Sequence, residues 1–322
     1  MAVDAVLNPA SLPESFAMPT ADFVTVDVFT TERFAGNPLA VVPDARGLTD
    51  RQMQQIAIEF GYAESTFVLP PENPDNSARV RIFTPTMEIP FAGHPNVGTA
   101  YVLGQRADLF GKPVTDTLRF EEIAGLVEIR LLREATGVIG ATIRAPRPLE
   151  IGAEIEPALI AGCVSIDTKH IRTTAHNPVF ASVGLAFVIA ELDGLDALAA
   201  ARPNITIFHE AAARHAGAGL DFPVFLYVRS PENPFAIRAR MFAPLDNVME
   251  DPATGSASAA LSAFLVTRAP QMDARVHVTI EQGVEMGRRS IIELDVVKTA
   301  GTVTDVTITG RCVPVMRGSL DV

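Results

Sequence analysis

FAGHPNVGTAYVLG, residues 91–104, decides the fold. After Pro95 the run is small and almost wholly apolar, and only Asn96 and Thr99 interrupt it, so a helix built here has no polar face. A helix that is apolar all round must be covered on every side. The same design returns in DPATGSASAALSAFLV at 251–266. Matching segments precede both runs. RVRIFTP at 79–85 parallels IRARMFAP at 237–244, and AGNPLAVV at 35–42 parallels AHNPVFASV at 175–183. That order predicts duplicated halves. The expected fold class is therefore α+β: two pseudo-symmetric domains, each a curved, mostly antiparallel sheet wrapped on one central helix. The ligand would sit between them, where the turns carrying His94 and Asp251 face each other.

Working outward, FVTVDV at 23–28 and the segment from Leu39 to Val42 alternate as strands, joined as a hairpin through the turn residues Gly36, Asn37 and Pro38. Thr49 with Gln52 three residues on has the spacing of a capping box, and Met53, Ile56, Ala57 and Phe60 follow at helical period. Gly61 stops that helix, and ESTFVL opens a strand at Glu64. SARVRIF at 77–83, LRFEEIAGLVEIRLL and VIGATIRAP read as further strands, with APRP at 145–148 as the joint between domains. The expected division is an arm over 1–20, a first domain over 21–147 and a second over 148–307.

The chain has 322 residues, about twice the usual size of one domain. With 48% apolar and 20% charged residues it can build a large core. A net charge of −12 argues against wrapping nucleic acid or lying on anionic lipid, and leaves a small molecule as the expected partner. The first twenty residues lack a basic leader and are broken by Pro9, Pro13 and Pro19, so they read as a loose arm and not as a signal peptide. No run is long and apolar enough to suggest a membrane span. Cys163 and Cys312 stand in no metal or redox spacing, which favours a reducing compartment, the cytoplasm. Both read as buried small apolar residues, Cys163 in or beside a strand.

Several familiar sites drop out. His209-Glu210 begins a zinc motif whose second histidine is replaced by Ala213, and the Gly217/Gly219 pair lacks the third glycine of a dinucleotide loop, Phe222 standing there. No motif calls for a metal or cofactor. What remains are two glycine-bearing helix starts, AGHPNVG and DPATGSAS, whose free N–H groups suit an anionic substrate. In the simpler reading Asp251 is an N-cap before Pro252 and His94 a turn residue before Pro95. Glu64 is either a solvated carboxylate at a strand end or, turned inward, an acid whose pKa rises into the range useful for proton transfer. Ser256 reads as a ligand or backbone contact more readily than as a nucleophile, because no base is placed near it.

Together, VDVFTTERFAGNPLAVV (26–42), GYAESTFVL (61–69), FAGHPNVGTA (91–100), EDPATGSASA (250–259) and ITGRCVPVMRGSL (308–320) resemble the PhzF-like phenazine-biosynthesis isomerase family, within the diaminopimelate-epimerase-like fold group. The resemblance runs from Phe23 to Leu320 and rests on five motifs in order. It implies two barrel-like domains around central helices, with a final strand, 308–322, returning to the first domain. It also implies a cofactor-free proton shift on a small carboxylate and a homodimer. By the same resemblance the catalytic residues are Glu64, His94 and Asp251, while Gly93, Asn96, Gly255 and Ser256 hold the substrate. No cysteine occupies either loop, so the two-thiol chemistry of the related epimerases is not expected. Two alternatives stay open: a non-catalytic binder of a small anion, and a thiol-free epimerase with Glu64 and His94 on opposite faces.

Overall fold

A computed structural model describes residues 20–215 and 222–322; the expected arm, apart from Thr20, which opens the first strand, and the Gly217/Gly219 pair lie outside these. The first half runs β1 (Thr20–Val28), β2 (Asn37–Val42), α1 (Asp50–Phe60), β3 (Ser65–Leu69), β4 (Ala78–Phe83), β5 (Glu88–Ile89) and α2 (Gly93–Gly104). A small hairpin of β6 (Asp108–Leu109) and β7 (Lys112–Pro113) then leads to β8 (Thr117–Glu122), β9 (Gly125–Glu134) and β10 (Gly137–Arg144). The second half runs β11 (Glu150–Glu154), α3 (Pro157–Cys163), β12 (Val179–Ser182), β13 (Ala186–Glu191), α4 (Leu195–Ala200) and α5 (Ile205–Arg214). It continues with β14 (Val224–Arg229), β15 (Ala236–Ala243), β16 (Val248–Asp251), α6 (Gly255–Arg268), β17 (Ala274–Gln282), β18 (Ser290–Thr299) and β19 (Thr302–Asp321).

Eight strands close on themselves in the order β1–β2–β3–β4–β8–β9–β10–β19 and back to β1. Only the β2–β3 and β4–β8 steps are parallel. The ring encloses α2, all of whose residues are buried, because a helix without a polar face finds its cover only inside a barrel. Its own Thr99 is satisfied by Thr66 of β3, the two hydroxyls sharing a 2.8 Å hydrogen bond in the interior. In the second half β12–β13–β14–β15–β17–β18–β19 pair in sequence, again with two parallel steps, and α6 packs inside against β12, β13, β17, β18 and β19. The connector between the halves is tied on both sides, by Ala145 N–H to Val306 O and Arg147 N–H to Val183 O.

β19 belongs to both halves. It pairs with β18 from Thr302 to Thr309, with β10 from Thr307 to Arg311, and with β1 from Cys312 to Asp321. The capping box on α1 forms as its sequence predicts, Thr49 N–H donating to Gln52 Oε1 at 3.0 Å, and Gly61 takes the left-handed stop at φ 63°. Its apolar stripe packs on the outside of the barrel with Val42, Phe67 and Phe83.

Three local expectations are corrected. Cys163 ends helix α3 in the smaller core of the second half; it is not in or beside a strand. Asp251 is no N-cap: it ends β16, and Thr254 takes the cap position of α6. His94 lies within the first turn of α2 and not in a turn before it, since the helix starts at Gly93. His209 and Glu210 sit on α5, with Glu210 turned to Arg214 at 3.6 Å.

Candidate active site

The two buried helices meet end to end. A Cβ added at Gly93 would lie 3.7 Å from both Gly255 Cα and Ser256 N, so ordinary side chains at these helix starts would fill the space between them. Free N–H groups from both helices therefore point toward one small region. β3 brings in Glu64, the residue before its first, and β16 delivers Asp251 just ahead of α6. His94 Nε2 lies 3.5 Å from Glu64 Oε2, and both atoms are buried without a hydrogen-bond partner.

Asp251 is held by shorter bonds. Its Oδ1 accepts from Asn37 Nδ2 at 2.8 Å and its Oδ2 from the Thr254 hydroxyl at 2.5 Å. Gln282 secures that turn from β17, donating to the Asp251 carbonyl at 2.7 Å and accepting from Thr254 N–H at 3.0 Å. Asn37 also donates to the Ala253 carbonyl at 3.0 Å and lies 3.3 Å from His94 Nδ1.

Burial sets the protonation of all three chemical groups. It pushes the Glu64 carboxyl up to about 8, with the nearby Asp251 charge adding to the effect. Burial pushes Asp251 up to about 6, opposed by the hydrogen bonds from Thr254 and Asn37. The same cause pushes the His94 imidazole down to about 3, against a hydrogen bond to the Pro38 carbonyl. Near neutrality Glu64 is mostly protonated, Asp251 mostly ionised and His94 uncharged. The contact between Glu64 and His94 is thus one of acid and neutral base, not an ion pair. Two carboxyls with separated pKa values divide acid from base roles.

A pH dependence of stability follows. Unfolded, Glu64 titrates near 4.5; folded, about 8. Between those values the unfolded chain binds fewer protons, so each rise in pH costs the folded state stability. Glu64→Gln removes that cost, and its melting temperature is expected to exceed wild type near pH 9, with the gap closing by about pH 5. A gap independent of pH would place the carboxylate in water.

Ser256 is half-buried, whereas Asn96 is fully buried and its Nδ2 donates back to the Ala92 carbonyl at 3.0 Å. Beside Asn96 lies Glu122, both carboxyl oxygens buried without a partner and its pKa pushed up to about 8 by burial. Asn37, Thr254, Gln282 and Glu122 were not singled out from sequence; for Asn37 the repeated Asn-Pro of AGNP and AHNP was the available signal. Burial pushes the Cys163 thiol up to about 12 and raises that of Cys312 as well, so neither is a poised thiolate. Among the described residues no helix is long and apolar enough to cross a membrane.

Residues 26–318 match the family model described as phenazine biosynthesis-like protein. The chain is 37% identical to an uncharacterized isomerase of Mesorhizobium japonicum, covering 94% of this chain and 99% of that one. It is 36% identical to the trans-2,3-dihydro-3-hydroxyanthranilate isomerase of Pseudomonas fluorescens, over 93% of this chain and 99% of the other. The crystal structure of the Bacillus anthracis phenazine biosynthesis protein of the PhzF family superposes with a TM-score of 0.82 at 26% identity, covering 95% of this chain and 100% of that one. A family match spanning nearly the whole fold, joined to relatives of full length that are named isomerases, makes this chain an enzyme: it belongs to the PhzF-like family and is an isomerase.

Proposed function

We propose that the protein is a cofactor-independent isomerase that moves a proton between two carbons of a small carboxylate, similar to trans-2,3-dihydro-3-hydroxyanthranilate isomerase. The observation that carries this is the Glu64 carboxyl: protonated near neutrality, with a buried, unpartnered oxygen facing the unpartnered Nε2 of His94. Glu64 delivers its proton to one carbon of a conjugated substrate, then takes a proton from another carbon on the same face, and ends as it began. The ionised Asp251 offsets the positive charge that builds on the substrate between the two steps. His94 accepts from a polar group of the substrate. The substrate carboxylate is held by the N–H groups at Gly93 and Gly255 and by Ser256, with Asn96 keeping the start of α2 in shape.

The site lies between two pseudo-symmetric domains, 21–147 completed by 308–322, and 148–307. Their matching order of parallel and antiparallel steps supports that division. The reading extends to a homodimer in the cytoplasm, where two buried free cysteines fit a reducing compartment. The 3.5 Å between Glu64 and His94 argues against a thiol-free epimerase, which needs its acid and base on opposite sides of a substrate carbon.

Incubation with trans-2,3-dihydro-3-hydroxyanthranilate in D2O tests the proposal. NMR is expected to show deuterium bound to carbon as the substrate isomerises. Binding without incorporation would make the protein an anion binder, and loss of optical activity in an amino acid would make it an epimerase.

A further inference from the structure

We propose that Asn37 is a positioning residue that sorts the two acids of the site, holding Asp251 ionised so that the proton stays on Glu64. The use of that sorting in catalysis rests on the proton-shift reading above; the sorting itself does not. Asn37 is fully buried, and both of its N–H bonds are committed, to Asp251 Oδ1 and to the Ala253 carbonyl. Turning the amide over would set its oxygen against two acceptors, so its orientation is fixed by chemistry. His94 Nδ1 lies 3.3 Å from the same amide nitrogen, and a hydrogen bond to the Pro38 backbone also bears on the imidazole. Its Nε2, buried without a hydrogen-bond partner, faces Glu64 Oε2.

Among the described residues Asn37 is the side-chain donor to Oδ1, while the Thr254 hydroxyl holds Oδ2. The charged and titratable groups around Asp251 are Glu64 ahead of β3, His94 on α2 and Glu250 beside it on β16. Arg240 of β15 is taken by Glu250 through bonds of 2.7 and 2.8 Å, and among the described ion pairs none involves Asp251. Only Asn37 and the Thr254 hydroxyl donate to the carboxylate from side chains. Asn37 also leaves its own Oδ1 buried without a partner, a cost that a purely structural residue would not carry.

The backbone before Asn37 is clamped from the other half of the chain. Gly36 sits at φ 67°, where an added Cβ would come within 2.3 Å of the Val28 carbonyl, so only glycine fits. Gly36 N–H donates to the Arg289 carbonyl at 3.1 Å. The Arg288 guanidinium bonds Gly36 O at 2.9 Å, Ala35 O at 3.0 Å and Asp27 Oδ1 at 2.6 Å. An amide carried on a loop end this constrained reaches Asp251 in one pose.

The test uses the full chain and needs no substrate. Carboxyl-carbon NMR follows Asp251 and Glu64 through pH in wild type, Asn37→Ala and the isosteric Asn37→Asp, with amide spectra confirming the fold. In Asn37→Ala the Asp251 midpoint is expected to rise by about one unit and that of Glu64 to fall, because Asp251 is then charged less of the time. In Asn37→Asp the introduced carboxyl opposes the Asp251 charge, so the Asp251 midpoint rises further than in Asn37→Ala. Unmoved midpoints in either folded variant overturn the proposal. Absence of turnover by wild type would sink the isomerase reading and leave these titrations to stand or fall alone.

Discussion

Glu64→Gln is expected to lower the rate of carbon-bound deuterium incorporation by roughly 10²- to 10⁴-fold, the range that a positioned acid–base group supplies. Glutamine has the same shape and fills the same buried position, but it neither gives nor takes a proton near neutrality. The carboxyl it replaces titrates at about 8 because burial and the Asp251 charge both disfavour its ionised form. Removing a group of that kind relieves a folding cost above pH 5, so the variant is expected to be as stable as wild type or more so. Loss of turnover in a protein that melts no lower isolates the chemistry from the fold. Retention of a tenth or more of the wild-type rate would move the proton carrier elsewhere, His94 being the next group in line at 3.5 Å.

Gly140→Ala is expected to destabilise the protein by about 3 kcal/mol or more, one of the largest effects available to a single methyl group here. The added Cβ would lie 2.0 Å from the Gly310 carbonyl oxygen and 2.9 Å from Arg311 Cα. Both are backbone atoms, and no rotamer can move them aside. β10 or β19 must therefore shift, giving up the pairing of Gly140 with Arg311 and Ala141 with Gly310. Nor can β19 retreat freely. A Cβ at Gly310 would already be 2.7 Å from the Phe29 ring, so that ring lies close behind the strand. Gly194→Ala, with nothing within 4 Å of its new Cβ, serves as the control; it alters only the N-cap of α4 and is expected to cost about 1 kcal/mol or less. Urea unfolding midpoints compare the two; a Gly140→Ala midpoint equal to that of the control would mean that β10 and β19 do not need this close approach.

The sequence disclosed most about what is buried. The run at 93–104 has no polar face, and from that alone a helix enclosed by strands could be foreseen. The hairpin at 23–42 and the capped helix after Thr49 were legible because their signals are local. Closure of the ring has no local signal and was legible only through the motif resemblance, which implied a returning final strand, since it depends on β19 reaching back to Val28 and Thr20. The site divides the same way. Glu64, His94 and Asp251 came from motif resemblance, and the structure gathers Glu64 and His94 directly. Asn37, which joins His94 to Asp251, looked like a turn residue because its carboxylate partner is 214 positions away. Glu122 was hidden for the opposite reason: a second acid in a charged run reads as solvated until the fold buries it.

The double membership of β19 also sets an order of assembly during synthesis. The barrel that holds α2 and Glu64 has two open edges, β1 and β10, until the last twenty residues of the described chain are available to lie between them. A nascent chain can therefore finish its second half before its first. For most of translation the earlier strands wait as unpaired edges, the kind that other chains can pair with. Ending the chain after Gly310 would remove the β1 partner and leave the first barrel unclosed.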